Sequence, residues 1–320
     1  MRPKNGGIFV HYELYMVSKI FISCKLQEFI GLSTTRSFMF YRKPTYFLFL
    51  LLTLFNTFNS QTLNLKALQH KITTCGTNND SNKVGKAHFL IGAYYHNHQT
   101  PDSSLFHYKK AIPLSLQQKD HSTLGKIYSN LSVLPITPAD SVMVYAKRAL
   151  SYRFLAKDSL EIGSSYMQIA SFYDSDGSFN EALKYNLSSI RIFERKRFFA
   201  GLVNSYNNIA VLYYNLGEKN KCIEYYHKTL NALTKHVDSV KLGGVLSNLA
   251  NIYKEINKRD SAIIYYNRSF RIREAVKDTF GLGELYYNMA DLFYLNKQYA
   301  KALTYIKQCV YFLERSNPAV

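Results

Sequence analysis

The chain has 320 residues, with 40 Lys and Arg against 22 Asp and Glu, a formal net charge of +18 and a pI near 9.5. Its 4 cysteines argue against a disulfide framework. Cys222 and Cys309 fall where a helix needs a small buried residue, Cys75 stands alone, and Cys24 lies close to the N-terminus. No zinc-finger or basic-zipper signature accompanies the positive charge, so no nucleic-acid partner is expected. The basic side chains at Arg191, Arg195, Lys196 and Arg197, and at Arg268, Arg271 and Arg273, read as a solvated face.

In chain order, residues 1–38 form a basic extension that reads as mis-assigned or disordered. Residues 44–60, PTYFLFLLLTLFNTFNS, carry no charge. Behind the basic flank MFYRK, this apolar run resembles a signal-peptide core more closely than a spanning helix, which needs about 20 residues. Residues 39–60 are therefore expected to be a signal peptide starting at Met39 and cleaved near Ser60–Gln61. The alternative is an uncleaved anchor, with membrane association through 44–59. Either reading exports the rest, to the periplasm or as a membrane-anchored chain. Residues 61–84 read as a leading helix and linker.

From about residue 85 to 315 the chain repeats. Ala170, Ala210, Ala250 and Ala290 are spaced 40 apart, and Ala182, Cys222, Ala262 and Ala302 each follow by 12. Tyr173, Tyr213, Tyr253 and Phe293 lie three residues after the first alanines. Asp158, Asp238 and Asp278 lie twelve before, with Phe198 in the exceptional copy. Ser132 and Gly92 continue the series upstream, with Asp120 in the aspartate position. Six units result, roughly 85–120, 121–157, 158–197, 198–237, 238–277 and 278–315, followed by a tail at 316–320.

Within a unit the apolar residues keep helical spacing. Leu282, Leu285, Met289, Leu292 and Phe293 mark a first helix, and Tyr299, Leu303, Ile306 and Val310 a second. The aspartates are placed to cap first helices. Gly in LGEKN and SDGSF suits a helix stop. The small residues mark close helix crossings. The last helix presents Val310, Tyr311 and Phe312 with no following unit, so a homo-oligomer or other partner is expected to cover it.

The order of small residue, aromatic, turn and second small residue resembles the tetratricopeptide repeat, whose usual unit is about 34 residues. The additional six residues are expected between the second helix and the next unit. The longer form is similar to the repeats of kinesin light chains. It is also similar to the sensory arrays that precede histidine kinase or helix-turn-helix modules in Bacteroidetes-type bacteria. The resemblance implies an all-α, right-handed α-α superhelix of about six helix pairs, with first helices lining a concave groove.

Two residues before the small residue lie Asn130, Gln168, Asn208, Asn248 and Asn288. The resemblance implies a ladder like that of kinesin light chains and the O-linked N-acetylglucosamine transferase, which holds extended peptides. A carboxamide offers donor and acceptor together, so it can pair with one peptide unit. The neighbouring positions Asn207, Tyr214, Asn215, Ser247, Asn251, Lys254, Tyr287, Asp291 and Tyr294 would set preference. The competing reading is that the amides bond adjacent helices and hold the repeats in register.

No catalytic motif is present. GLGELY fails the dinucleotide pattern at Tyr286, and GxxxxGK[ST], HExxH and GxSxG are absent. His88, His96, His98 and His107 read as surface or loop residues, and no metal or other cofactor is expected. The sequence thus points to a non-catalytic, exported scaffold binding a protein or peptide. The alternative is the sensory input half of a bacterial histidine kinase or transcriptional regulator lacking its output module.

Overall fold

A computed structural model describes residues 81–316, with side chains from Lys83 onward. The extension, the segment 39–60, Cys24, Cys75 and residues 61–80 lie outside the described residues. The described chain is helical throughout and divides into two compact units between Lys196 and Arg197.

The N-terminal unit holds α1 (Ser81–Asn97), α2 (Pro101–Gln117), α3 (His121–Leu131), α4 (Ala139–Leu155), α5 (Ser159–Ser175) and α6 (Phe179–Arg195). The C-terminal unit holds α7 (Phe199–Asn215), α8 (Lys219–Leu233), α9 (Ser239–Glu255), α10 (Arg259–Ala275), α11 (Thr279–Leu295) and α12 (Tyr299–Ser316). Helices pair as α1–α2, α3–α4, α5–α6, α7–α8, α9–α10 and α11–α12. Six pairs in an all-α chain are what the sequence dictates. Residues 81–84, the end of the segment read from the sequence as a leading helix and linker, belong to α1.

The 40-residue period has a different origin from the one expected. Helices such as α5, α9, α10 and α11 are 17 residues each, and connections such as 156–158 and 276–278 are three residues long. The six additional residues therefore lengthen the helices rather than forming a linker. Each short connection turns through one left-handed residue: Gln99, Lys119, Lys157, Gly177, Gly217, Asn257, Lys277 and Lys297 all have φ between 54° and 78°. The amide of the next residue then reaches back five positions, as in Ser178 N–H to Tyr173 O (2.8 Å) and Lys258 N–H to Tyr253 O (2.8 Å). This satisfies the carbonyls that a helix end leaves open. Glycine takes this conformation without cost at Gly177 and Gly217.

The second pair departs from the pattern in both helix and loop: its first helix is shorter, and the connection 132–138 is longer than the three-residue ones. Pro135 disfavours helical backbone at Leu134, so α3 stops at Leu131 after 11 residues. Thr137 then closes the turn, its hydroxyl donating to Leu131 O at 2.6 Å.

The aspartates cap as expected. Asp120, Asp158, Asp238 and Asp278 accept from the backbone N–H of Thr123, Glu161, Lys241 and Gly281 at 3.1, 3.2, 3.0 and 2.9 Å. Phe198 leaves α7 without a side-chain cap. The small residues of both series are buried, including Ala170, Ala210, Ala250, Ala182, Cys222 and Ala262 at 0% exposure. The aromatic after each first alanine has a partner twelve residues on. Ring centroids lie at 5.5 Å for Tyr173–Tyr185, 5.4 Å for Tyr213–Tyr225, 5.3 Å for Tyr253–Tyr265 and 5.1 Å for Phe293–Tyr305. These contacts form an aromatic seam inside each pair, beyond simple burial.

A second register lies seven residues before the small series. Gly125, Gly163, Gly243 and Gly283 sit against Arg153, Phe193, Arg273 and Leu313 of the paired second helix. A Cβ at Gly163 would stand 2.6 Å from Phe193 Cε1. The arginines correct the reading of a uniformly solvated basic face, because Arg153 and Arg273 are 4% and 7% exposed. Arg153 pairs with Glu161 at 2.7 Å and donates to Ser165 Oγ at 2.5 Å. Burial lowers its pKa, and the Glu161 and Asp158 carboxylates oppose that shift. Arg273 reaches Asp278 at 2.6 Å and Ser269 Oγ at 3.3 Å. Each arginine thus ties a second helix to the start of the next first helix.

Phe312 is also covered: it stacks on Tyr286 at 5.4 Å. Val310 and Tyr311 stay exposed, at 49% and 44%. Cys222 and Cys309 are buried, and burial pushes the Cys222 thiol up to about 12.

Candidate functional site

The residues expected to grip a ligand fall on the first helices, but their side chains are not equivalent. In the N-terminal unit, Asn130 of α3 is half-buried and its Nδ2 donates to the Tyr108 hydroxyl of α2 at 2.8 Å. Gln168 of α5 is 7% exposed and fully engaged. Its Oε1 accepts from Ser129 Oγ at 2.8 Å, while Nε2 donates to Ser129 O at 3.0 Å and to Ser132 Oγ at 2.9 Å. Both amides therefore hold neighbouring helices together. The extra methylene of Gln168 lets it reach Ser129 and Ser132 where position 146, an alanine, offers no hydroxyl.

The C-terminal unit differs. Asn208 on α7 and Asn288 on α11 are half-buried and form no hydrogen bond with another described residue. Asn207, adjacent on α7, is likewise half-buried and unbonded among the described residues. Asn248 on α9 lies beside the Tyr226 hydroxyl of α8. That hydroxyl is fully buried and completes no regular hydrogen bond among the described residues. Burial raises the Tyr226 pKa, with the Cys222 and Tyr214 groups adding to it and Asn248 opposing.

The charged positions are paired with one another. Lys254 of α9 donates to Asp291 of α11 at 2.5 Å, with the lysine side chain 15% exposed. Glu255 of α9 accepts from the Tyr214 hydroxyl of α7 at 2.6 Å and from Lys219 at 3.0 Å. Burial, then Glu255, raise the Tyr214 pKa, so the phenol stays protonated and donating. Asn251 accepts from the Tyr266 hydroxyl at 2.5 Å. Ser247 is buried against Ser269 Oγ at 2.8 Å. Tyr287 is half-buried, and Tyr294 is 61% exposed with its ring edge-on to Tyr299. The first helices α9 and α11 touch directly, so these side chains form one polar, internally neutralised face.

The sequence reading missed the tyrosines behind the amides. Tyr108, Tyr226 and Tyr266 are 0% exposed and lie 22 residues before Asn130, Asn248 and Asn288. The spacing alone does not mark a bonded pair, because Tyr266 gives its hydroxyl to Asn251 and leaves Asn288 without it. Among the described residues no group of three or more His, Cys, Asp or Glu could hold a metal ion. The histidine pair that does form is His88–His107, with Nδ1 atoms 3.0 Å apart across α1 and α2. Spacing along a single helix could not reveal it.

Tetratricopeptide-repeat profiles match residues 201–275 and residues 283–312. Tetratricopeptide repeats are thus identified within the C-terminal unit. No curated protein matches the sequence of the chain. Among solved structures this chain is similar to aspartyl phosphate phosphatase F from Bacillus subtilis, at 13% identity and TM-score 0.56, over 72% of this chain and 70% of that one. It is similar to the apo quorum sensor NprR from B. thuringiensis, at 13% identity and TM-score 0.54, over 95% of each chain. It is also similar to a Rap protein complexed with competence and sporulation factor, at 14% identity and TM-score 0.50, over 83% and 90%. At these identities the likeness is one of fold.

Proposed function

We propose that the chain is a non-catalytic scaffold that binds an extended protein or peptide segment on the first-helix face of its C-terminal unit. The observation that carries this reading is the pair of unspent carboxamides at Asn208 and Asn288, with Asn207 beside the first. They occupy equivalent repeat positions on α7 and α11, amid side chains whose charges are already paired. A half-buried amide without an internal partner is suited to a peptide unit's N–H and C=O. The fold shared with a Rap protein solved with its factor supports such a use. The likeness to a quorum sensor over 95% of each chain favours, as a second reading, the sensory input half of a regulator.

The test selects binders from a displayed library of extended peptides using the full chain. Asn208→Ala with Asn288→Ala should weaken the selected peptide about tenfold, as expected for two net hydrogen bonds of about 0.5–1 kcal/mol each. The urea midpoint should not move. Unchanged affinity together with a large loss of stability would instead make the amides register-holding elements. Asn130→Ala should behave in the opposite sense, lowering stability with peptide affinity unchanged.

Export is part of the same proposal and rests on the uncharged run at 44–60 behind its basic flank. None of the described helices is long and apolar enough to cross a membrane. N-terminal sequencing of the protein from its native host should find a mature chain beginning near Gln61. A mature chain retaining residues 1–38 would contradict the assignment of Met39 as the start.

A further inference from the structure

The first helix pair carries a small cleft that the polar face of the C-terminal unit does not involve. It is a concavity of about 320 Å³ lined by Tyr95 of α1 and by Asp102, Ser103, Phe106 and His107 of α2. Three rings build its walls. Tyr95 stacks on His107 at 5.7 Å, and Phe106 stands edge-on to His107 at 5.2 Å and 85°. Phe106 is 56% exposed, an unusual cost for a phenylalanine beside a cleft. Asp102 is exposed and forms no ion pair with any described residue, on a chain whose formal charge is +18.

We propose that this cleft is a docking site for a cationic side chain, the ammonium of a lysine or the guanidinium of an arginine, presented by a partner polypeptide. Aromatic faces attract such cations through their negative quadrupole, and a carboxylate beside them fixes the charge. The Lys110 ammonium of the same helix lies 5.8 Å from the Phe106 centroid, so a docked cation has to displace it from that ring. The histidine in the wall does not repel it. His107 is tied to His88 through their Nδ1 atoms at 3.0 Å, which places one proton between two neutral rings. Burial lowers the His107 pKa, and burial, His107 and Lys110 lower that of His88, so both stay neutral near neutral pH. The charged groups facing the pair are therefore Asp102 and Lys110. The cleft belongs to the N-terminal unit, and its use does not rest on Asn208 or Asn288.

The test titrates the full chain with blocked tripeptides, acetyl-Gly-Lys-Gly-amide and acetyl-Gly-Arg-Gly-amide, followed by nuclear magnetic resonance of the ring protons. The norleucine analogue and free butylammonium serve as controls. At least one cationic tripeptide should bind at least tenfold more tightly than the norleucine analogue. Asp102→Asn, an exposed and conservative change, should remove that advantage, and Phe106→Ala should weaken binding by a similar factor. Binding should fall as pH drops through the lowered histidine pKa values, since the charged pair then repels the ligand. Asn208→Ala with Asn288→Ala should leave it unchanged. Equal binding of the norleucine analogue, no effect of Asp102→Asn, or binding of butylammonium without either tripeptide would overturn the proposal.

Discussion

Asp278→Ala is expected to destabilise the C-terminal unit by about 3–5 kcal/mol, whereas Asp238→Ala should cost only about 1 kcal/mol. Both aspartates cap a first helix, accepting from Gly281 and Lys241 N–H at 2.9 and 3.0 Å. The difference is what stands behind them. Asp278 also holds Arg273 at 2.6 Å, and the two side chains are 8% and 17% exposed. Removing the carboxylate leaves a guanidinium in the core with only Ser269 beside it. At the position of Arg273 one repeat earlier stands Leu233, so Asp238 has no buried arginine to neutralise. Its charge partner is Lys241 of its own helix, at 3.4 Å and partly exposed. Asp278→Asn separates the two roles, because asparagine caps as well as aspartate but carries no charge. It should fall between the alanine variant and the wild type. Urea unfolding of the chain, with hydrogen exchange of α11 amides, measures all three. Equal losses at 238 and 278 would show that only the caps matter.

Phe193→Ala is the second large effect, with an expected cost of about 3–5 kcal/mol from lost burial and the cavity left behind. Phe193 is 0% exposed and lies over Gly163, where a Cβ would stand 2.6 and 2.8 Å from ring atoms. Gly163→Ala should therefore cost about 1–3 kcal/mol by overpacking, although alanine is the better helix former. The two positions are coupled. Combining Gly163→Ala with Phe193→Leu should destabilise less than the sum of the single changes, since the smaller side chain vacates the space that the new methyl needs. Strict additivity in a double-mutant cycle would show that the ring and the glycine do not share that space.

Period, helix pairing and caps were legible in the sequence because they are local. Ala250, Tyr253 and Asp238 recur at fixed offsets, and each offset has one packing or capping reason that any helix pair must meet. The extent of the helices was harder to read. A Lys at 157 or 277 hides the left-handed turn that Gly announces at 177 and 217, so the six additional residues could be given to a linker. The roles of the five amides were not legible either. Asn130, Gln168, Asn208, Asn248 and Asn288 share one repeat position, yet their partners come from other helices. Whether a hydroxyl waits at Tyr108, an alanine stands at 146, or Ser129 lies within reach decides whether the amide is consumed.

The sequence by itself determined the all-α class, the six pairs, the repeat length and the capped helix starts. Each of these follows from side-chain periodicity and backbone capping within about forty residues. Only the tertiary structure decided which polar groups are spent. It sealed Gln168 between Ser129 and Ser132, paired Lys254 with Asp291 and Tyr214 with Glu255, and buried Arg273 on the carboxylate of Asp278. Such pairings depend on distances between side chains of different helices, and a hydrogen bond is made or lost over less than 1 Å. No spacing along one chain encodes a length that short, so the free amides of Asn208 and Asn288 became visible only once their neighbours were in place.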